Sequence, residues 1–95
     1  MKIIKEFALR TIAGESLLIP TGKTSQELNG MITLSPTAAF IWENIEKVNS
    51  LDEMVAKITD EFEIDPDTAR HDAFAFVAEL IKHEFVIPTK EDMSW

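Results

Sequence analysis

Three helix-start signals lie from residue 35 onward and none before it. They are Ser35-Pro36, Ser50-Leu51-Asp52-Glu53 and Asp65-Pro66. In each, a short polar side chain can accept a bond from an unsatisfied N–H of the first turn, and in the first and third a proline at the first helical position loses no bond by lacking its N–H. Helical periodicity follows every signal. Ala38, Ile41, Trp42 and Ile45 make one apolar stripe, and Leu51, Met54, Val55, Ile58 and Phe62 make another. The third helix is expected to run to about His83. Ahead of these signals the pattern alternates instead. Glu6 to Ala13 places Phe7 and Leu9 on one face, Gly14-Glu15 can turn, and Leu17 to Ile19 reads as a second strand. Lys23 to Glu27 is polar and reads as loop. Leu28 to Leu34 reads as a third strand, with Leu28, Gly30, Ile32 and Leu34 on one face and Asn29, Met31 and Thr33 on the other. Strands followed by helices give an α+β fold class. Phe85 to Pro88 is extended, and the aperiodic tail 89–95 is expected to fray, so the domain is placed at residues 1–88.

A strand at the end of a small sheet leaves one row of backbone donors and acceptors without a partner. What pairs with the outer edge of Leu28 to Leu34 is therefore the functional question. The third helix bears on it. With Ala69 at zero, Phe76, Leu80, Ala73 and Val77 span about −20° to 80°, an ordinary buried arc, and Ile81 and Phe74 extend it to about 140°. Phe74 and Ile81 then either pack beneath the sheet as core or form one wall of a groove whose other wall is a strand edge.

Charge and composition narrow the function. Seventeen Asp and Glu against nine Lys and Arg give a net charge of −8, which repels phosphate backbones. Residues 51–79, where a helix-turn-helix would meet DNA, hold nine acids against Lys57 and Arg70, a net −7. No nucleic-acid partner is expected. There is no cysteine, which removes disulfides, thiolate metal sites and a Cys nucleophile and suits a cytoplasmic location. His71 and His83 are twelve apart, without the i, i+4 spacing of a helical metal pair or a triad around them. Ser35 and Ser50 serve as caps. The chain reads as non-catalytic, with no cofactor or metal expected. Apolar runs such as Leu17-Leu18-Ile19 fall far short of the ~20 residues a membrane span needs.

The stretches FALRTIAGESLLIPTG, LNGMITLSPTAAFIWENI and FEIDPDTARHDAFAFVAELIKHEFV, in this order over residues 6–87, resemble the PqqD-like family, the small recognition domains (RiPP recognition elements) of ribosomal-peptide modification pathways. One departure is His83-Glu84, where family members often end the third helix with glycine. The resemblance implies a winged helix-turn-helix with an N-terminal three-stranded antiparallel sheet and three helices. It also implies that the leader segment of a precursor peptide adds as a strand along the third strand and lies against the third helix. Carried over by position, the binding residues are Asn29, Gly30, Met31, Ile32, Thr33 and Leu34 of the strand and Arg70, Phe74, Val77 and Ile81 of the helix. Gly30 offers close backbone approach, or is a packing or bulge position. Arg70 pairs with an acidic leader residue, or is a solvated helix charge. The implied partners are the leader peptide and a maturation enzyme, of the radical S-adenosylmethionine type or another maturase. The pyrroloquinoline quinone pathway is one branch among several. The rival reading is a module that makes a homodimer through the same strand edge.

Overall fold

The computed structural model describes residues 1–95. Two strands, β2 (Phe7–Ile12) and β3 (Glu15–Pro20), form a hairpin. Its turn is Ala13-Gly14, with φ of +52° and +82°. Left-handed backbone at both positions matches the right-handed twist of the flanking strands, which is why a two-residue link suffices. The turn lies one residue earlier than the sequence suggested, so Glu15 opens β3. A third strand, β4 (Ile32–Leu34), pairs antiparallel with β3, giving the order β2-β3-β4. This strand is shorter than the expected Leu28 to Leu34. Gly30 stands at φ +88°, outside the extended region, so the strand cannot begin until the chain has passed it.

The polar stretch read as loop holds a one-turn helix, α1 (Thr24–Glu27). Two bonds to the entry of β2 fix it: Glu6 N–H donates to Thr24 Oγ1 at 2.8 Å, and Lys23 N–H donates to the Glu6 carboxylate at 3.0 Å. Three longer helices follow, α2 (Pro36–Asn44), α3 (Leu51–Glu61) and α4 (Pro66–Lys82). Their caps are the residues read from the sequence. Ala38 N–H donates to Ser35 Oγ at 3.1 Å, Glu53 N–H to Ser50 Oγ at 3.1 Å and Thr68 N–H to Asp65 Oδ2 at 3.2 Å. The helix count is thus four against an expected three.

At the end of α4, Phe85 N–H donates to Leu80 O and Glu84 N–H to Ile81 O, with Glu84 at φ +60°. This is the Schellman arrangement, built on glutamate where glycine is usual. It turns the chain so that Phe85 packs back over Leu80, and it launches β5 (Val86–Ile87). β5 pairs antiparallel with β1 (Lys2–Ile3). The core lies between the sheet and the helices: Leu18 and Leu34 from the sheet, Ile41 and Ile45 from α2, Met54 and Ile58 from α3, Ala69, Ala73, Val77 and Leu80 from α4. Phe7 ties its two ends, meeting Trp42 edge-on at 5.7 Å and Phe85 at 4.7 Å. The tail expected to fray is docked. Met93 N–H donates to Asn49 O, Leu51 N–H to Ser94 O, and Asp92 accepts from the N-terminal ammonium at 2.6 Å. No helix is long and apolar enough to cross a membrane.

Candidate functional site

The sheet ends at β4, and no segment of the chain pairs with its outer side. The direction of each backbone group follows from the hairpin. Ile12 and Glu15 face each other across the two-residue turn, so Glu15, Leu17 and Ile19 direct N–H and C=O to β2, and Ser16 and Leu18 direct theirs to β4. Their partners Leu34 and Ile32 point back toward β3. Thr33, lying between them, points its N–H and C=O outward. The same count on β2 sends the Leu9 and Thr11 groups outward, but there the Arg10 guanidinium donates to Leu9 O at 3.2 Å. A charged side chain folded over an edge blunts it. The Thr33 edge has no such cover.

Beside β4 runs a groove of ≈330 Å³. Leu18, Ile32 and Leu34 line it from the sheet, and Phe76, Glu79 and Leu80 of α4 line it together with His83 and Phe85 just past the helix end. Ile32 remains 37% exposed, an apolar side chain left at the rim. A second hollow of ≈490 Å³ shares Phe76 and Glu79 and continues along α4 to Asp72 and His71, with Ser35, Thr37, Ala38 and Ile41 across from them. The two hollows meet at Phe76 and Glu79, and the pair forms the trough flanking α4. Near its β4 end the His83 Nε2 lies 3.3 Å from a Glu79 oxygen, and the imidazole leans on the Phe85 ring at 5.9 Å.

The structure gathers some of the expected residues and separates others. Ile32, Thr33 and Leu34 stand together at the edge and its groove. Asn29, Gly30 and Met31 precede the strand and line a separate shallow hollow with Ile19, Pro20, Ser25 and Leu28. Phe74, Val77 and Ile81 line neither part of the trough. With Leu51, Ala78 and Trp95 they line an apolar notch of ≈140 Å³. Phe74 is 56% exposed there, whereas Val77 is buried, 3% exposed, in the core. Arg70 is held by Asp52, Nη2 to Oδ1 at 2.7 Å. The physical reason is the rotation of α4 about its axis. On the wheel used above, Phe74 and Ile81 lie at about 120° to 140°, past one margin of the buried arc, and His83, Asp72 and Glu79 lie at about −40° to −80°, past the other. The second margin faces the trough. Phe76, placed in the buried arc, and Glu79 and His83, given no role at a groove, line the trough instead. A polar margin at i, i+7 and i+11 beside a large aromatic was the available signal.

The family model for Coenzyme PQQ synthesis protein D (PqqD) matches residues 15–86. The chain belongs to the PqqD family. No curated protein sequence matches it. Among solved structures, this PqqD-family chain is similar to TbiB1 in complex with the TbiA(beta) leader peptide, with a TM-score of 0.63 and 24% identity over 90% of this chain and 93% of that one. At that identity the likeness establishes a shared fold. The matched span runs from the start of β3 into β5 and so includes the whole β4 edge and α4.

Proposed function

We propose that this protein binds the leader segment of a ribosomally made precursor peptide as an added strand along β4, and presents it to a separate modifying enzyme. Membership of the PqqD family and the likeness to a protein solved with a leader peptide support the recognition role. The observation that carries the reading is the uncovered Thr33 edge standing beside an apolar groove.

The energetics divide the work between the two. Thr33 offers one donor and one acceptor, and a net backbone bond is worth only ~1 kcal/mol. An edge this short cannot hold a disordered peptide, whose ordering costs ~2–5 kcal/mol. Apolar anchors in the groove, at ~2 kcal/mol each, supply the remainder and the selectivity. The domain acts here without catalysis. The enzyme it serves is of the radical S-adenosylmethionine type or another maturase, working with it in the cytoplasm. Self-association through β4 uses the same groups and therefore competes with the peptide.

The test is an amide-shift titration of the ¹⁵N-labelled chain with synthetic leader peptides from short reading frames encoded beside it. Shifts concentrated on Thr33, Phe76, Leu80 and His83 are expected. Shifts spread evenly, or centred on Phe74 and Ile81, contradict strand addition at β4.

A further inference from the structure

The carboxylates of the trough face no lysine or arginine across it. Glu79 and Asp72 stand on the α4 wall beside Phe76, the other titratable groups lining it are His83 and His71, and no lysine or arginine lines either hollow. Leu28 to Leu34, the strand side, has no charged residue at all. Glu79 has only the His83 imidazole as a partner, with its side chain 60% exposed. Asp72 takes part in none of the four ion pairs of the molecule.

We propose that the occupant of this groove is an extended peptide whose apolar side chains rest on Ile32, Phe76 and Leu80 and which carries a lysine or arginine beside them, paired with Glu79. The proposal rests on the strand-addition reading and adds the chemistry of the guest. A strand laid on β4 covers the groove and strips water from Glu79. A carboxylate so desolvated is costly unless a cation or donor replaces that water. An acidic guest side chain at this position adds repulsion, so the site selects as much by exclusion as by attraction. Lysine and arginine also suit an apolar trough with a charged rim, since their methylenes lie along Phe76 while the charged head reaches the carboxylate. The net charge of −8 acts in the same direction at longer range, drawing cationic peptides toward the surface.

The experiment is selection of a displayed library of random twelve-residue peptides on the purified full chain, with each enriched peptide then checked for its effect on the Thr33 amide. Peptides that shift Thr33 are expected to be enriched in lysine or arginine. Replacing that residue by glutamine should weaken binding about 3-fold, the scale of a partly exposed ion pair, and replacing it by glutamate about 10-fold. In Glu79→Gln the three peptide versions should bind within about 2-fold of one another. Peptides that shift Thr33 but show no basic enrichment, or that bind equally with lysine, glutamine and glutamate, overturn the cationic guest and leave strand addition standing. A selection in which no bound peptide shifts Thr33 overturns both.

Discussion

Glu84 occupies a left-handed position, φ +60°, inside a Schellman turn whose two bonds are both made. A side chain there costs about 1 kcal/mol that glycine does not pay. Glu84→Gly should therefore stabilise the domain by about 0.5–1 kcal/mol, read as a higher urea midpoint with unchanged slope. A lower midpoint would mean that the side chain makes a contact worth more than the strain. The two aromatic margins of α4, with Phe74 exposed and Phe76 half-buried, separate in the same manner. Phe76→Ala should weaken leader-peptide binding by about 2 kcal/mol through the loss of a groove wall. Phe74→Ala should leave that binding within about 0.5 kcal/mol of the original, because its notch is elsewhere. Isothermal titration of both variants decides, and the reverse ranking would place the guest on the other side of the helix.

At the scale of elements, β4 alternates between groups used by the sheet and groups left over. Ile32 and Leu34 are committed to β3, and Thr33 is free. Thr33→Pro should remove the outward donor while keeping the β3–β4 ladder, so melting persists and peptide binding falls at least about 10-fold. Ile32→Pro removes a ladder bond and should cost folding as well. Binding retained by folded Thr33→Pro would argue that the guest does not use this donor. The caps of α2, α3 and α4 were legible in sequence because each is settled within four residues: Ser35 to Ala38, Ser50 to Glu53, Asp65 to Thr68. The α+β class was legible for the same reason, being read from local alternation followed by helical periodicity. Which margin of α4 faces β4 was not legible. Phe74 and Phe76 are equally apolar, and only the packing of Ala69, Ala73 and Val77 into the core sets the rotation that separates them. Two-residue strands such as β1 and β5 carry no periodicity to read.

Across the whole molecule, the two ends of the chain are joined at Asp92. Burial raises this carboxyl's pKa. The hydrogen bonds from the N-terminal ammonium, the Thr89 N–H and the Trp95 indole, with the ammonium's charge, outweigh that and leave it below the ordinary 3.8. A carboxyl lowered on folding contributes stability that is complete above its ordinary value and is lost as the pH falls through its folded value. Asp92→Asn should cost about 1–3 kcal/mol at pH 7, and the gap from the parent protein should narrow as the pH falls below 3.8. Urea unfolding at pH 7 and pH 3 measures it, and a gap independent of pH would show that the carboxylate charge is not what matters. β1 and β5 pair with each other in a separate sheet, so neither covers the outer side of β4. Strand addition requires that edge to be free, and amide hydrogen exchange at β4 tests it most directly. In the free protein the Thr33 amide should exchange faster than those of Ile32 and Leu34. Saturation with leader peptide should slow Thr33 by at least about 10-fold and change its two neighbours far less. A Thr33 amide already protected in the free monomer, or one that a saturating peptide leaves unprotected, would contradict strand addition.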